Sequence, residues 1–259
     1  MRGFTLVELA IVLAIIGLLV GGVLVGQNLI DSAAIRTQAK QFADINVAAN
    51  TFKLKYKALP GDISTAHSNQ YGIQPPSGGW PGRAENGYID GHFSNTMETW
   101  DFFPQLQGAG LITCVGCGPA WDFTSPAWDA MFNASKISPR GILHVYGGAS
   151  PDNYAGAQVG AYGNNFIEIC GSASNPGWPL TPPQAYGLDQ KMDDGLPLSG
   201  IVTATNSCSI MGVGDYWNTR TPSSGAAGGG TCVSTSTTPN PYNVTSTVPA
   251  CNIRLKASF

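Results

Sequence analysis

The sequence predicts an α+β chain in which a long N-terminal helix packs on an antiparallel-sheet head with long, disulfide-stapled loops. Three observations carry the prediction. An apolar run opens the chain, an apolar stripe at helical spacing follows it, and the remainder combines short strand-like segments with six cysteines and many Gly and Pro residues.

The chain has 259 residues, room for one sizeable domain plus an extension. Charged residues make up only 11%, against roughly 25% in a typical soluble domain, so neutral polar groups must cover the surface. With 33 Gly and 18 Pro beside many Ser, Thr and Asn, the composition suits an exported, loop-rich protein. The net charge of −3 conceals an asymmetry. Residues 31–57 hold Arg36, Lys40, Lys53, Lys55 and Lys57 against Asp31 and Asp44, a basic stem. From residue 58 onward 13 acidic residues oppose 7 basic ones, an acidic head. Affinity for nucleic acid comes largely from Lys and Arg neutralising phosphates, so no nucleic-acid partner is expected.

Residues 4–25 read FTLVELAIVLAIIGLLVGGVLV, with Thr5 and Glu8 the polar interruptions. As a helix this run would span about 33 Å, enough to cross a bilayer core. A cleaved secretory signal would have a shorter apolar region and a small-residue cleavage site; a plain signal anchor is the other reading. Glu8 is the informative residue. A carboxylate inside an apolar membrane helix is costly unless paired, so it marks a functional site and asks for a cation. Gly17/Gly21 and Gly22/Gly26 form two small-xxx-small pairs that allow close helix approach in lipid.

Beyond Val25 the apolar positions Ile35, Ala39, Phe42, Ile45, Ala49, Phe52 and Tyr56 recur at steps of three and four, the stripe of an amphipathic helix. Its inner face is expected on the head's sheet, with Arg36, Lys40 and Lys53 outward. Ala58-Leu59-Pro60-Gly61-Asp62 then stops the helix.

In the head, Met97, Trp100, Phe103 and Leu106 have helical spacing within 94–106 and are expected in the core. Strands are predicted at 141–146, 165–170 and 200–205. Residues 186–200 read YGLDQKMDDGLPLSG, taken first as a short helix with an Asp-Asp-Gly stop. The alternative is a Ca²⁺ site formed by Asp189, Asp193 and Asp194, since clustered carboxylates suit a hard cation; the spacing is not that of an EF-hand. Residues 219–249 are rich in Ser, Thr, Pro and Gly, and 219–259 is predicted to be a C-terminal loop region. An even set of cysteines in an exported chain is expected to oxidise. Six allow 15 pairings; those expected are Cys114 with Cys117, Cys170 with Cys208, and Cys232 with Cys251. His67, His92 and His144 have no metal-ligand spacing, and there is no nucleophile elbow, P-loop or dinucleotide fingerprint. The chain is therefore not expected to be an enzyme or, Ca²⁺ aside, to carry a cofactor.

Arg2-Gly3-Phe4-Thr5-Leu6-Val7-Glu8-Leu9 resembles the prepilin processing signal of type IV pilins and type II secretion pseudopilins. The resemblance implies a leader of residues 1–3, cleavage between Gly3 and Phe4 by a prepilin peptidase, and N-methylation of Phe4. It implies that Glu8 pairs with the Phe4 ammonium of a neighbouring subunit during assembly, which supplies the cation. Residues 4–30 would form the membrane and then filament-core helix, 31–57 the stem, and 58–259 the head. Tyr56-Lys57-Ala58-Leu59-Pro60-Gly61-Asp62 and the Asp189–Pro197 segment are also similar to segments of pilin-like chains. Many major pilins have a Pro where Val25 stands here, and its absence leans toward a continuous, pseudopilus-like helix. The implied partners are other copies of the chain in a helical homopolymer, membrane lipid before assembly, an inner-membrane assembly platform and a cytoplasmic ATPase. The precursor would lie in the inner membrane and the product in an extracellular pilus or a periplasmic pseudopilus. Three functions follow: a pilus subunit for adhesion or motility, a type II secretion pseudopilin, and a membrane-anchored binding or enzymatic domain.

Overall fold

The computed structural model describes residues 5–76, 84–89, 98–114, 117, 132–147, 164–171, 178–205, 232–234 and 241–259. One helix dominates. α1, Leu6–Tyr56, runs for 51 residues. It starts at a capping box, Thr5 with Glu8, and stops where Lys57 adopts a left-handed conformation and donates its N–H to the Lys53 carbonyl. Pro60, three residues on, cannot continue a helix.

The stem stripe is buried as its spacing predicts. Phe42, Ile45, Ala49, Phe52 and Tyr56 are in the core, and Ile35 and Ala39 pack at its margin. Arg36, Lys40 and Lys53 are exposed. The core's other wall is a five-stranded antiparallel sheet made of β1 (Asn133–Ala134), β2 (Gly141–Gly147), β3 (Asn165–Gly171), β4 (Val202–Thr205) and β5 (Asn252–Lys256), in the order β1-β2-β3-β5-β4. Alternate positions aligned by register, Leu143 with Ile169, Val145 with Ile167, Ile169 with Ile253, and Val202 with Leu255, all belong to one core with the stem. The fold class agrees with the sequence prediction.

Three short helices complete the described head: α2 (Thr65–Tyr71), α3 (Glu98–Gly108) and α4 (Pro182–Met192). Trp100, Phe103 and Leu106 of α3 are core residues, as expected; Met97 lies outside the described residues. The turn after the stem docks on α3. Gly61 has φ +88°, a Cβ there would collide with the Glu98 carbonyl, and its N–H reaches Gln105 Oε1 at 2.6 Å. Asp62 accepts from the backbone N–H groups of Asn86 and Gly87.

Polar contacts fix the head's position on the stem. Gln38 Oε1 accepts from Ser135 Oγ and the Lys136 N–H at 2.9 and 2.8 Å, and Gln41 donates to the Ala134 carbonyl. Higher up, Asn46 Oδ1 accepts from the Ser258 N–H at 2.8 Å. On the far side α4 comes so close to α1 that a Cβ on Gly187 would lie 2.6 Å from Ile35 Cδ1.

Two segments differ from expectation. The strand predicted over 200–205 begins at Val202, because Gly200 has φ +75° and ends the preceding loop. The region read as loop over 219–259 supplies β5, which lies between β3 and β4 in the sheet. Ile253 and Leu255 point to the core, but only two apolar positions alternate there, which is too few to separate a strand from a tail. Two expected disulfides are present, Cys114–Cys117 and Cys232–Cys251, with Cα separations of 5.5 and 5.0 Å. Cys170 is also disulfide-bonded; Cys208, its expected partner, lies outside the described residues.

Candidate functional site

Among the described residues, the first half of α1 has no partner within the molecule. Its apolar side chains are exposed from Leu6, at 90%, through Leu18, at 78%, to Ile30. By length and composition the helix can cross a membrane, and none of its most apolar stretch is buried in the molecule. A Cβ at Gly17, Gly21, Gly22 or Gly26 would meet nothing within 4 Å. The monomer therefore gives no packing reason for glycine at these four positions, each of which costs the helix about 1 kcal/mol relative to Ala.

Glu8 sits in this surface. Its Oε2 accepts from the Thr5 N–H and the Thr5 hydroxyl, each at 2.8 Å, while Thr5 Oγ1 accepts from the Glu8 N–H at 3.3 Å. The box caps the helix start and points the carboxylate at the chain just before it. Gly3 and Phe4, the expected cleavage and methylation positions, lie outside the described residues.

The second candidate is the acidic cluster at the end of α4. Thr181 and Gln184 form a capping box at its start, with Pro182 and Pro183 in its first turn. The sequence reading placed a helix end at the Asp-Asp-Gly stop, and α4 does end at Met192. The fold brings ligand atoms of Asp189, Asp193 and Asp194 within 4.8 Å of one another. Each carboxylate also accepts hydrogen bonds from the chain itself. Asp189 accepts from Tyr242 Oη at 2.8 Å and the Gly195 N–H at 3.1 Å. Asp194 accepts from the Leu196 N–H at 2.8 Å and Ser199 Oγ at 2.6 Å. Asp193 accepts from the Ile201 and Val202 N–H groups. These bonds tie α4 to the 194–201 loop, to β4 and, through Tyr242, to the segment ending in Cys251.

Burial pushes the Asp189 carboxyl up to about 6, with repulsion from Asp194 and Asp193 adding to it and the bonds from Tyr242 and Gly195 opposing it. Burial, followed by the charge of Asp189, pushes Tyr242 above the ordinary phenol range. The exposed Asp194 is lowered by its bonds from Ser199 and Leu196. Sequence reasoning singled out the three carboxylates but missed Tyr242, whose contact with Asp189 spans 53 residues. No local signal would have found it.

The described histidines do not form a catalytic set. His67 pairs with Glu85 at 2.7 Å near the surface, and His144 is buried and stacked on Tyr146.

Residues 1–24 match the family model described as the prokaryotic N-terminal methylation motif, the prepilin-type signal of type IV pilins and pseudopilins. No curated protein and no solved structure matches the chain. The motif supports a pilin-like or pseudopilin substrate in general and indicates a structural subunit. It implies processing by prepilin peptidase and assembly into a pilus-like polymer. With the apolar helix it is consistent with an inner-membrane precursor and then a surface filament.

Proposed function

We propose that the chain is a structural subunit of a type IV pilus or type IV-like surface filament. It polymerises through the first half of α1 after cleavage between Gly3 and Phe4 and methylation of Phe4. The observation that carries the reading is the pairing of an apolar half-helix that has no partner in the monomer with a carboxylate, Glu8, held at its start. In the precursor, lipid covers that surface; in the polymer, the helices of other copies do. The four glycines then acquire the packing role the monomer lacks. Cleavage creates an ammonium on Phe4, and Glu8 pairs with the one on a neighbouring subunit, which sets the axial register between copies. A separate assembly platform and cytoplasmic ATPase supply the extraction work. The head, about 200 residues by sequence, is displayed outward for adhesion or motility.

A second reading, the pseudopilin of a type II secretion system, is favoured by the unbroken passage of α1 through Val25. For the acidic cluster we favour a polar staple over a Ca²⁺ site, because each of the three carboxylates already accepts from the chain's own donors.

Electron microscopy of filaments sheared from cells, with mass spectrometry of their N-terminus, tests the main reading. The expected result is filaments built of a chain that begins at methylated Phe4. An uncut chain that stays in the membrane sinks the proposal. A cut chain that assembles only in the periplasm selects the pseudopilin.

A further inference from the structure

Beside β4 opens a cleft of ≈ 310 Å³, at the lower end of the size range of ligand-binding pockets. Its principal described walls are Phe166, Leu198, Ile201, Thr203, Arg254 and Lys256. Arg254 and Lys256 are two apart on β5 and so share the face turned away from the stem. Arg254 is held in place: its Nε donates to Thr203 Oγ1 at 2.9 Å and its guanidinium lies 5.1 Å over the Phe166 ring. Glu168 stands opposite Arg254 in the ladder and is buried, and it does not line the cleft. Lys256 stands opposite Phe166 and is exposed. Among the described residues the ion pairs are Lys40–Asp44 and His67–Glu85, so none involves Lys256. Leu198 and Ile201, 39% and 45% exposed, bring apolar surface to the lining of the cleft beside the polar Ser199 and Thr203.

The cleft is thus a positive site, lined by both polar and apolar side chains, on a head with 13 acidic residues against 7 basic ones. Its height excludes the lipid that anchors the precursor. Ser258, two residues past Lys256, bonds to Asn46, roughly 30 Å along α1 from Val25 at 1.5 Å per residue. The stem of another copy does not fit either, because that stem is basic. The acidic head of another copy does.

We propose that this cleft receives an Asp or Glu side chain from the head of a second copy of the chain, between laterally adjacent subunits of the polymer. The proposal rests on the polymer reading above. Heads of like net charge repel when packed side by side, and an acid seated between Arg254 and Lys256 converts that repulsion into a directional contact.

Zero-length carbodiimide coupling of sheared filaments tests it, with no variant that could misfold. Covalent dimers are isolated on denaturing gels and their cross-links read by mass spectrometry. The Lys40–Asp44 pair, 2.6 Å apart within one chain, reports that coupling worked. The expected result is Lys256 joined to an Asp or Glu of residues 58–259 in the dimer, with a yield that falls several-fold in high salt. Lys256 left unlinked while Lys40–Asp44 couples overturns the inference, as does Lys256 linked only within its own chain or to a different protein; the polymer reading survives either result. If no filament contains the chain, both readings fall together.

Discussion

α1 is one helix with two different surroundings. From Leu6 to Ile30 its large apolar side chains face outward, whereas from Phe42 to Tyr56 those of the stripe are buried against the sheet. Backbone and hydrogen bonding are the same in both halves, so propensity does not explain the contrast. The difference lies in what the rest of the chain supplies. The second half brings its own partner, the head, and is complete. The first half is apolar all round and depends on matter outside the monomer.

The largest effect should come from a change that separates the halves by function. Glu8→Ala is expected to abolish incorporation into filaments while leaving the thermal unfolding of the head unchanged; a head that melts with the variant would break the comparison. Next comes a pair two residues apart within one turn, on opposite faces of α1. Phe52→Ala, at a fully buried position, should cost about 3–5 kcal/mol. Leu54→Ala, at a position 74% exposed, should stay within about 0.5 kcal/mol. Denaturant titration of detergent-solubilised protein measures both, and similar losses at the two sites would refute the burial assigned to the stem.

A smaller effect separates the ways the head holds its own polar groups. Asp189 has a folded pKa raised to about 6, above the roughly 3.9 of an unfolded Asp. The folded state therefore binds the extra proton. Its contribution should grow as pH falls from 7 through 6 toward 4, and be lost as pH rises, by about 1–3 kcal/mol. In Asp189→Asn this part of the pH slope should vanish; an unaltered slope would show that another group titrates. The smallest expected effect is that of Ca²⁺. If the carboxylates serve as a staple, millimolar Ca²⁺ or a chelator should move Tm by less than about 1 °C. A shift of several degrees that Asp193→Asn removes would establish the metal site instead.

The sequence made the helix legible because apolar spacing over many turns leaves little ambiguity, and β2 and β3 because each is a run of residues buried on both faces. It concealed what depends on distant partners. α2, TAHSNQY, has almost no apolar signal and starts on a Ser64 cap. β1 has two residues and exists because β2 lies beside it. β5 is placed between β3 and β4 by pairing, not by its own pattern. The start of α4 was readable in principle, since Thr181-Pro182-Pro183-Gln184 is a capping box with Pro in the first turn. In the candidate site, Glu8 stood out because a carboxylate in an apolar run is anomalous by itself. Tyr242, which bonds Asp189, and Ile201 and Val202, which bond Asp193, did not, because they lie outside the 186–200 segment.

The bonds at β4 have a consequence for how copies can join. On the side of β4 away from β5, the Val202 N–H is taken by Asp193 and the Ala204 N–H by the Pro197 carbonyl. A strand at the rim of a sheet is ordinarily a template for the next chain, a hazard for precursors gathered in a membrane as proposed above. With those two donors already occupied by its own loop, this rim offers an incoming strand little to pair with. In the proposed polymer, contact between copies is thereby steered away from sheet-to-sheet aggregation and toward the helices.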